Sequence, residues 1–203
     1  MGLYRAAGKR AADLIGAGLG LVTLSPVFVL AAVATWAALG RPILFRQRRG
    51  GLHGRPFALL KFRTMADARG ADGAPLPDDE RLTRFGRWLR RTSLDELPEL
   101  WNVLRGEMSL VGPRPLMAEY LDRYSPDQAR RHEVRPGVTG WAQVNGRNAT
   151  TWPDRFRLDV WYVDHVSFLL DVRILLRTLG IVFRGHGVNA ADHATMTVFR
   201  GER

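Results

Sequence analysis

The sequence contains no cysteine, and only two of its 203 residues, Lys9 and Lys61, are lysines. The first absence excludes disulfides and thiolate metal sites, and it agrees with a reducing compartment. The second means that arginine carries nearly all the positive charge of a chain whose net charge is +10. Such a balance suits anionic partners: nucleic acid, an anionic lipid surface or phosphorylated substrates. There is no internal repeat, no Gly-rich P-loop and no Rossmann fingerprint. The five histidines, at 53, 132, 165, 186 and 193, form no pair with zinc-ligand spacing. Each reads as structural or surface, and His132 beside Glu133 reads as part of a solvated helix. The length is enough for one domain with a real core.

What is present is concentrated in Thr92 to Pro115, TSLDELPELWNVLRGEMSLVGPRP. Adjacent carboxylates, Asp95 and Glu96, lie between Arg87, Arg90 and Arg91 on one side and Arg105 and Arg114 on the other. Phosphate chemistry uses that combination. Arginines bind the phosphates, one carboxylate attacks phosphorus and the other holds a divalent metal. Pro98 fits the first position of a helix, where its missing N–H costs nothing. The helix is therefore expected to start near Pro98 and stop at Gly106. The dyad then sits just ahead of its positive end. A plainer reading competes: Ser93-Leu94-Asp95-Glu96 matches the S-x-x-E capping box, in which Glu96 only satisfies a backbone donor. Spacing alone leaves both open.

Leu14 to Leu39 carries no charged residue, long enough to cross a bilayer. A cleaved signal peptide has a shorter apolar core and a small-residue cleavage site. Here the run continues into Gly40-Arg41-Pro42 and a basic region. Ser25-Pro26 near its middle should kink it. Arg5, Lys9 and Arg10 precede it, and Arg41, Arg46, Arg48 and Arg49 follow, so the positive-inside tendency keeps both ends in the cytoplasm. A re-entrant hairpin satisfies both observations; a Pro-kinked spanning helix remains the alternative. Asp13 at the entrance is expected at headgroup depth.

Ile43 to Arg48 and Pro56 to Arg63, with a glycine-rich turn between them, read as a β-hairpin. Lys61 and Arg63 share one face of the second strand. Ala66 to Asp79 reads as a loop and Asp79 to Arg91 as a helix with Phe85, Trp88 and Leu89 on one face. In Gly112-Pro113-Arg114-Pro115 the prolines stiffen a loop around Arg114, which suits bidentate phosphate binding. Pro115 to Tyr124 is expected to be helical, and Ser125 to open another helix through Glu133. Arg135 to Asn148 reads as loop and short strand. There Trp141, Gln143, Asn145 and Arg147 suit a uracil or sugar contact, and equally Trp141 suits the core and Asn145-Gly146 a tight turn. Thr151 caps a helix to about Asp164 with an apolar stripe of Trp152, Phe156, Val160 and Val163. Ser167 to Arg184 fits either an interfacial helix or a core helix.

Four ordered segments then carry a family resemblance. They are Lys61-Phe62-Arg63-Thr64-Met65, Ser93 to Pro98, Met108 to Pro115, and Arg135 to Asn148. Residues 41 to 165 closely resemble the bacterial sugar transferase family, the monotopic phosphoglycosyl transferases. The resemblance implies that Asp95 is the nucleophile, that Glu96 helps bind magnesium and that Arg90 contacts phosphate. It makes a substrate-facing role the preferred reading of Lys61 and Arg63, and a site lining that of Gln143, Asn145 and Arg147. It also implies a re-entrant helix broken at Ser25-Pro26.

The expected fold is α+β, predominantly helical. It has a re-entrant membrane helix (1–40), a single cytoplasmic catalytic domain with a small β-hairpin (41–185) and a C-terminal tail (186–203). The expected reaction moves a sugar 1-phosphate from a UDP-sugar to polyprenyl (undecaprenyl) phosphate at the inner leaflet of a bacterial cytoplasmic membrane, with Mg2+ as cofactor. A homodimer is open and nucleic acid is not expected as a partner. A different class, a non-catalytic membrane-tethered basic protein binding anionic lipid or nucleic acid, would use the same arginines. Carboxylates inside its basic cluster would only weaken it.

Overall fold

The computed structural model describes residues 4–146, 151–184, 198–199 and 201. It is predominantly helical with two small two-stranded sheets. After a π-helical turn at Tyr4–Gly8, α1 (Lys9–Thr23) and α2 (Ser25–Leu39) follow with one residue between them. They meet at a bend of 65°. The cause is local. Pro26 in the first turn of α2 has no N–H to donate back into α1. The Ser25 side chain takes up the freed acceptor, its Oγ donating to the Val22 carbonyl at 2.8 Å, and Thr23 Oγ1 bonds back to the Leu19 carbonyl at 2.8 Å. No single helix among the described residues is long and apolar enough to cross a membrane; the bent pair taken together meets that length and composition, and nothing more. One side of the pair is apolar and open, with Ile15, Val22, Leu30 and Trp36 all more than half exposed.

The other side of α1 is built into the protein. Ala17 is fully buried against Leu59, Val103 and Met108. Arg10 donates to the carbonyls of Val103 and Leu104, and Lys9 Nζ lies 2.7 Å from Asp171 Oδ2. Asp13 departs from its expected position at headgroup depth. It is buried, and its Oδ1 accepts from Ser109 Oγ and the Leu110 N–H, both at 2.9 Å. A carboxylate is tolerated there because its lone pairs are satisfied.

Strands β1 (Leu44–Gly50) and β2 (Pro56–Phe62) form the expected antiparallel hairpin, in register from Leu44 opposite Phe62 to Gly50 opposite Pro56. The expected helix from Asp79 to Arg91 is instead two, α3 (Asp78–Arg81) and α4 (Arg84–Arg91). Thr83 makes the break: it is extended, and its Oγ1 caps α4 by accepting from the Gly86 N–H at 3.0 Å. Leu89 is fully buried as expected, but Trp88 is 45% exposed. Helix α5 (Glu99–Leu104) starts after Pro98 and ends at Gly106, whose φ of +82° suits glycine.

The short strands β3 (Ser109–Val111) and β4 (Gly137–Thr139) pair in parallel. This joins two motifs far apart in sequence. The Gly112 N–H donates to Thr139 O at 2.8 Å and the Gly137 N–H to Pro113 O at 3.0 Å. A Cβ on Gly112 would lie 2.3 Å from Arg135 O, and one on Gly140 2.0 Å from Gly112 O. The glycines are there because the two backbones touch.

Residues Ala118–Arg123 form a 3-10 turn, not the expected α-helix. Ser125 and Gln128 form the expected capping box of α6 (Pro126–Ala129), which continues as a 3-10 turn to Glu133. His132 is not solvated. It is 7% exposed, and its Nδ1 lies 2.9 Å from Gly51 O, tying this turn to the hairpin. Burial, reinforced by neighbouring Arg131, pulls its pKa down to about 4. Trp141–Asn145 is a short helix, α7, where loop and strand were expected. Helix α8 (Trp152–His165) is capped by Thr151 and buries Phe156, Val160 and Val163, as the apolar stripe predicted. Arg131 and Asp159 form a fully buried ion pair at 2.7 Å, and Arg131 also donates to Arg114 O at 2.7 Å. Helix α9 (Phe168–Arg184) is the last helix among the described residues. From the tail, Phe199 packs with Tyr120, Trp152 and Phe156; 185–197 lie outside the described residues.

Candidate active site

Asp95 and Glu96 occupy a single 3-10 turn (Leu94–Glu96) between α4 and α5. The capping-box alternative is not realised. Ser93 has φ +56° and makes no side-chain cap, and Glu96 is turned toward cations. A non-glycine residue in the left-handed region immediately before the dyad carries backbone strain, a feature that clusters at functional sites.

Lys61 reaches the dyad from β2. Its Nζ lies 2.5 Å from Glu96 Oε1, 3.1 Å from Glu99 Oε1 and 4.0 Å from Asp95 Oδ2. Arg114 reaches the same Glu96 Oε1 at 2.8 Å from the Gly112–Pro115 loop. Asn102, fully buried on α5, sets this register. Its Oδ1 accepts from the Leu60 N–H and its Nδ2 donates to Ala58 O, which locks α5 to the strand carrying Lys61. Arg90 sits on the last turn of α4, with Nε donating to Thr64 Oγ1 at 3.1 Å. Burial lowers its pKa, and Asp95 is the foremost opposing charge.

The carboxylates are held in different states. Burial pushes Asp95, 6% exposed, up to about 6; the Glu96 charge adds to this, and Lys61, Arg90 and Arg114 oppose it. Burial likewise lifts Glu99, 2% exposed, to about 7. Burial alone would raise Glu96 too, but Lys61 and Arg114, both hydrogen-bonded to it, hold it well below the carboxylate range. Burial works against the Lys61 ammonium, and Glu96 and Glu99 outweigh it, so its pKa rises. The turn therefore presents one firmly ionised carboxylate and one less encumbered neighbour.

Among the described residues, no group of three or more metal-ligating side chains converges. Mg2+ does not require one. It is commonly bound through one or two carboxylates, with substrate phosphates and water completing its shell. The donor set fits: both hydrogen bonds recorded on Glu96 fall on Oε1, and Asp95 adjoins it with hard oxygen ligands.

The other sequence candidates divide. Lys61, Arg90 and Arg114 converge on the dyad. Arg63 does not. Its guanidinium is spent on the carbonyls of Leu39, Gly40 and Arg41, closing the C-terminus of α2. Asn145 is exposed on α7 and is bonded to Trp141 O and to Arg177 of α9. Trp141 stacks on Trp161 at 4.8 Å. Gln143 lies beside Gly140, its amide buried without a partner among the described residues. Arg147 falls outside the described residues. Sequence reasoning missed Glu99 and Asn102. A signal for Glu99 existed, since it is three residues beyond Glu96 and so on the same helical side. A cavity of about 620 Å3 between α7 and α9 includes none of the dyad residues.

The sequence profile described as Bacterial sugar transferase matches residues 4–185. The chain belongs to the bacterial sugar transferase family. It is thus a phosphoglycosyl transferase, and the non-catalytic alternative falls away. It is 51% identical over 193 residues to the Bacillus subtilis protein named uncharacterized sugar transferase EpsL, covering 95% of this chain and 96% of that one. It is 45% identical to a Caulobacter vibrioides UDP-glucose:undecaprenyl-phosphate glucose-1-phosphate transferase, over 84% of this chain and 68% of that protein. It is 36% identical to the Salmonella typhimurium undecaprenyl-phosphate galactose phosphotransferase, over 88% of this chain but only 41% of that protein. The transferase thus spans nearly all of the first relative and less than half of the last.

Proposed function

We propose that this transferase moves a sugar 1-phosphate from a UDP-sugar to polyprenyl phosphate and releases UMP, through a phosphosugar ester of Asp95. The observation that carries the reading is the buried Asp95 carboxylate, set beside a cation-locked Glu96 within reach of Lys61 and Arg114. The names of the relatives, which include undecaprenyl-phosphate sugar transferases, support the same reaction.

In the first step an Asp95 oxygen forms a bond to the β-phosphorus, the bond from that phosphorus to UMP breaks, and UMP departs with the electron pair. In the second, a phosphate oxygen of the lipid attacks the same phosphorus, and Asp95 leaves as a carboxylate. Neither step needs a proton on Asp95. Arg90 and Arg114 hold the charged equatorial oxygens, and Lys61 keeps Glu96 ionised and in place. Mg2+ bound at Glu96 would supply positive charge to neutralise the diphosphate. UMP release from a panel of UDP-sugars, measured with and without a short polyprenyl phosphate in detergent, tests this. Release that no UDP-sugar elicits would end the reading.

The lipid acceptor also makes sense of the bent α1–α2 pair. With its apolar side open and basic residues at both ends, the pair suits a re-entrant segment dipping into the inner leaflet from the cytoplasmic side. Because the chain lacks cysteine, introduced thiols have no background. Ala7→Cys and Arg41→Cys are expected to react with a membrane-impermeant maleimide from the same side, in inverted vesicles only. Labelling from opposite sides would mean a spanning helix.

A further inference from the structure

We propose that Arg49 is a further phosphate-binding residue of this site, taking an oxyanion of a phosphorylated substrate beside Arg114. The proposal rests on the reading above in taking that anion from a substrate of the transferase.

Arg49 lies near the end of β1, and its backbone forms a bridge to Met117, just past the Gly112–Pro115 loop. Its guanidinium has only neutral partners. One nitrogen donates to Gln47 Oε1 at 2.5 Å and another to Pro115 O at a long 3.4 Å; Nε is buried with no partner. Among the described residues, no carboxylate comes within 4.0 Å of it, although Glu96 and Glu99 are both taken by its neighbours. Burial, and then the adjacent Arg114 charge, pull its pKa down to about 10. A half-buried cation beside another cation, with no ion-pair partner among the described residues and only the Glu99 charge, already engaged by Lys61, to oppose burial and Arg114, is unfavourable unless an anion arrives.

There is a place for one. Arg49, Lys61 and Arg114 line a cavity of about 20 Å3 with Leu59, Glu99 and Pro115. A space of roughly 10–15 Å3 already admits one water-sized atom. A single phosphate oxygen therefore fits inside, with phosphorus at the mouth beside Arg114, which is 39% exposed. The carboxylate on the wall, Glu99, is covered by Lys61 Nζ at 3.1 Å and does not bar an anion. The plain alternative is that Arg49 only braces Pro115. A bond of 3.4 Å is a weak brace, and a brace has no need of an uncompensated charge.

The test uses the full-length protein in detergent, with Arg49→Met and Arg49→Lys. Thermal melts are recorded with and without pyrophosphate. UMP release is measured with donor and lipid phosphate varied in turn. Arg49→Met is expected to melt at or above the wild-type temperature, because an unpaired buried charge is gone. It should lose the stabilisation by pyrophosphate, and one KM should rise about tenfold or more, the loss of a charge-assisted hydrogen bond. A rise for the UDP-sugar assigns the oxyanion to the donor diphosphate; a rise for the lipid assigns it to the acceptor. Arg49→Lys keeps the charge and should recover part of both effects, and it decides the matter if the methionine variant does not fold. Pyrophosphate stabilisation that is unchanged in the variants would overturn the proposal. Should no UDP-sugar be turned over even by the wild type, the reaction assigned above fails while the pyrophosphate melts still judge Arg49.

Discussion

Asp95→Asn is expected to abolish transfer while leaving the fold intact. UMP release should fall by at least about 1,000-fold, the scale seen when a covalent nucleophile is removed. An amide of the same shape has no anionic oxygen to offer phosphorus. The melting temperature should hold or rise, because burial already works against the charged form of Asp95 and raises its pKa to about 6. Intact mass after incubation with donor alone separates the two roles a carboxylate has here. The wild type should gain the mass of one phosphosugar and the variant none. An active enzyme that never gains that mass would exclude the covalent route even if Asp95 proved essential.

Asp159→Asn should have the largest effect on stability. Asp159 and Arg131 are each 1% exposed at the side chain and lie 2.7 Å apart. Removing one partner strands the other charge in the interior, which costs about 3–5 kcal/mol. For a chain of this length, that lowers the melting temperature by on the order of 10 °C. Activity measured well below the melt should fall too, since Arg131 donates to Arg114 O and so steadies the loop that aims Arg114. The double variant Arg131→Met, Asp159→Leu should be less destabilised than Asp159→Asn alone, because the Arg131 charge is no longer stranded, although buried Arg155 still loses the opposing Asp159 charge. If the single variant melts with the wild type, the pair is not holding the α8 side of the site.

Much of this architecture is readable in the sequence. Pro98, Gly106, Ser125 and Thr151 act within a few residues of themselves, so the helices they start or stop came out where their chemistry put them. The dyad and its Arg90 and Arg114 neighbours were legible because they share one stretch of chain. What escaped depends on contacts between distant segments. Arg63 looks like Lys61 two residues away, yet it serves the end of α2, because those carbonyls happen to lie beside it. His132 looks solvated until the hairpin turn closes over it. Thr83 is a poor breaker by propensity, but extended backbone at Leu82 and Thr83 lets it cap the next helix. Gly112-Pro113-Arg114-Pro115 reads as a stiffened loop and Arg135-Pro136-Gly137 as part of a separate loop and short strand. They are one parallel junction, and no local rule joins them.

The first helix shares its interior with the catalytic elements. Asp13, Arg10 and Lys9 spend their side-chain bonds on residues beyond position 100, and Ala17 packs against Leu59, Val103 and Met108. Amputating this arm would thus open a hole in the enzyme and take from Asp171 its Lys9 and Tyr4 partners, leaving, among the described residues, only the Tyr162 hydroxyl. Versions beginning near residue 41 should precipitate when expressed, and grafting this arm onto another protein would carry half a mortise without its tenon.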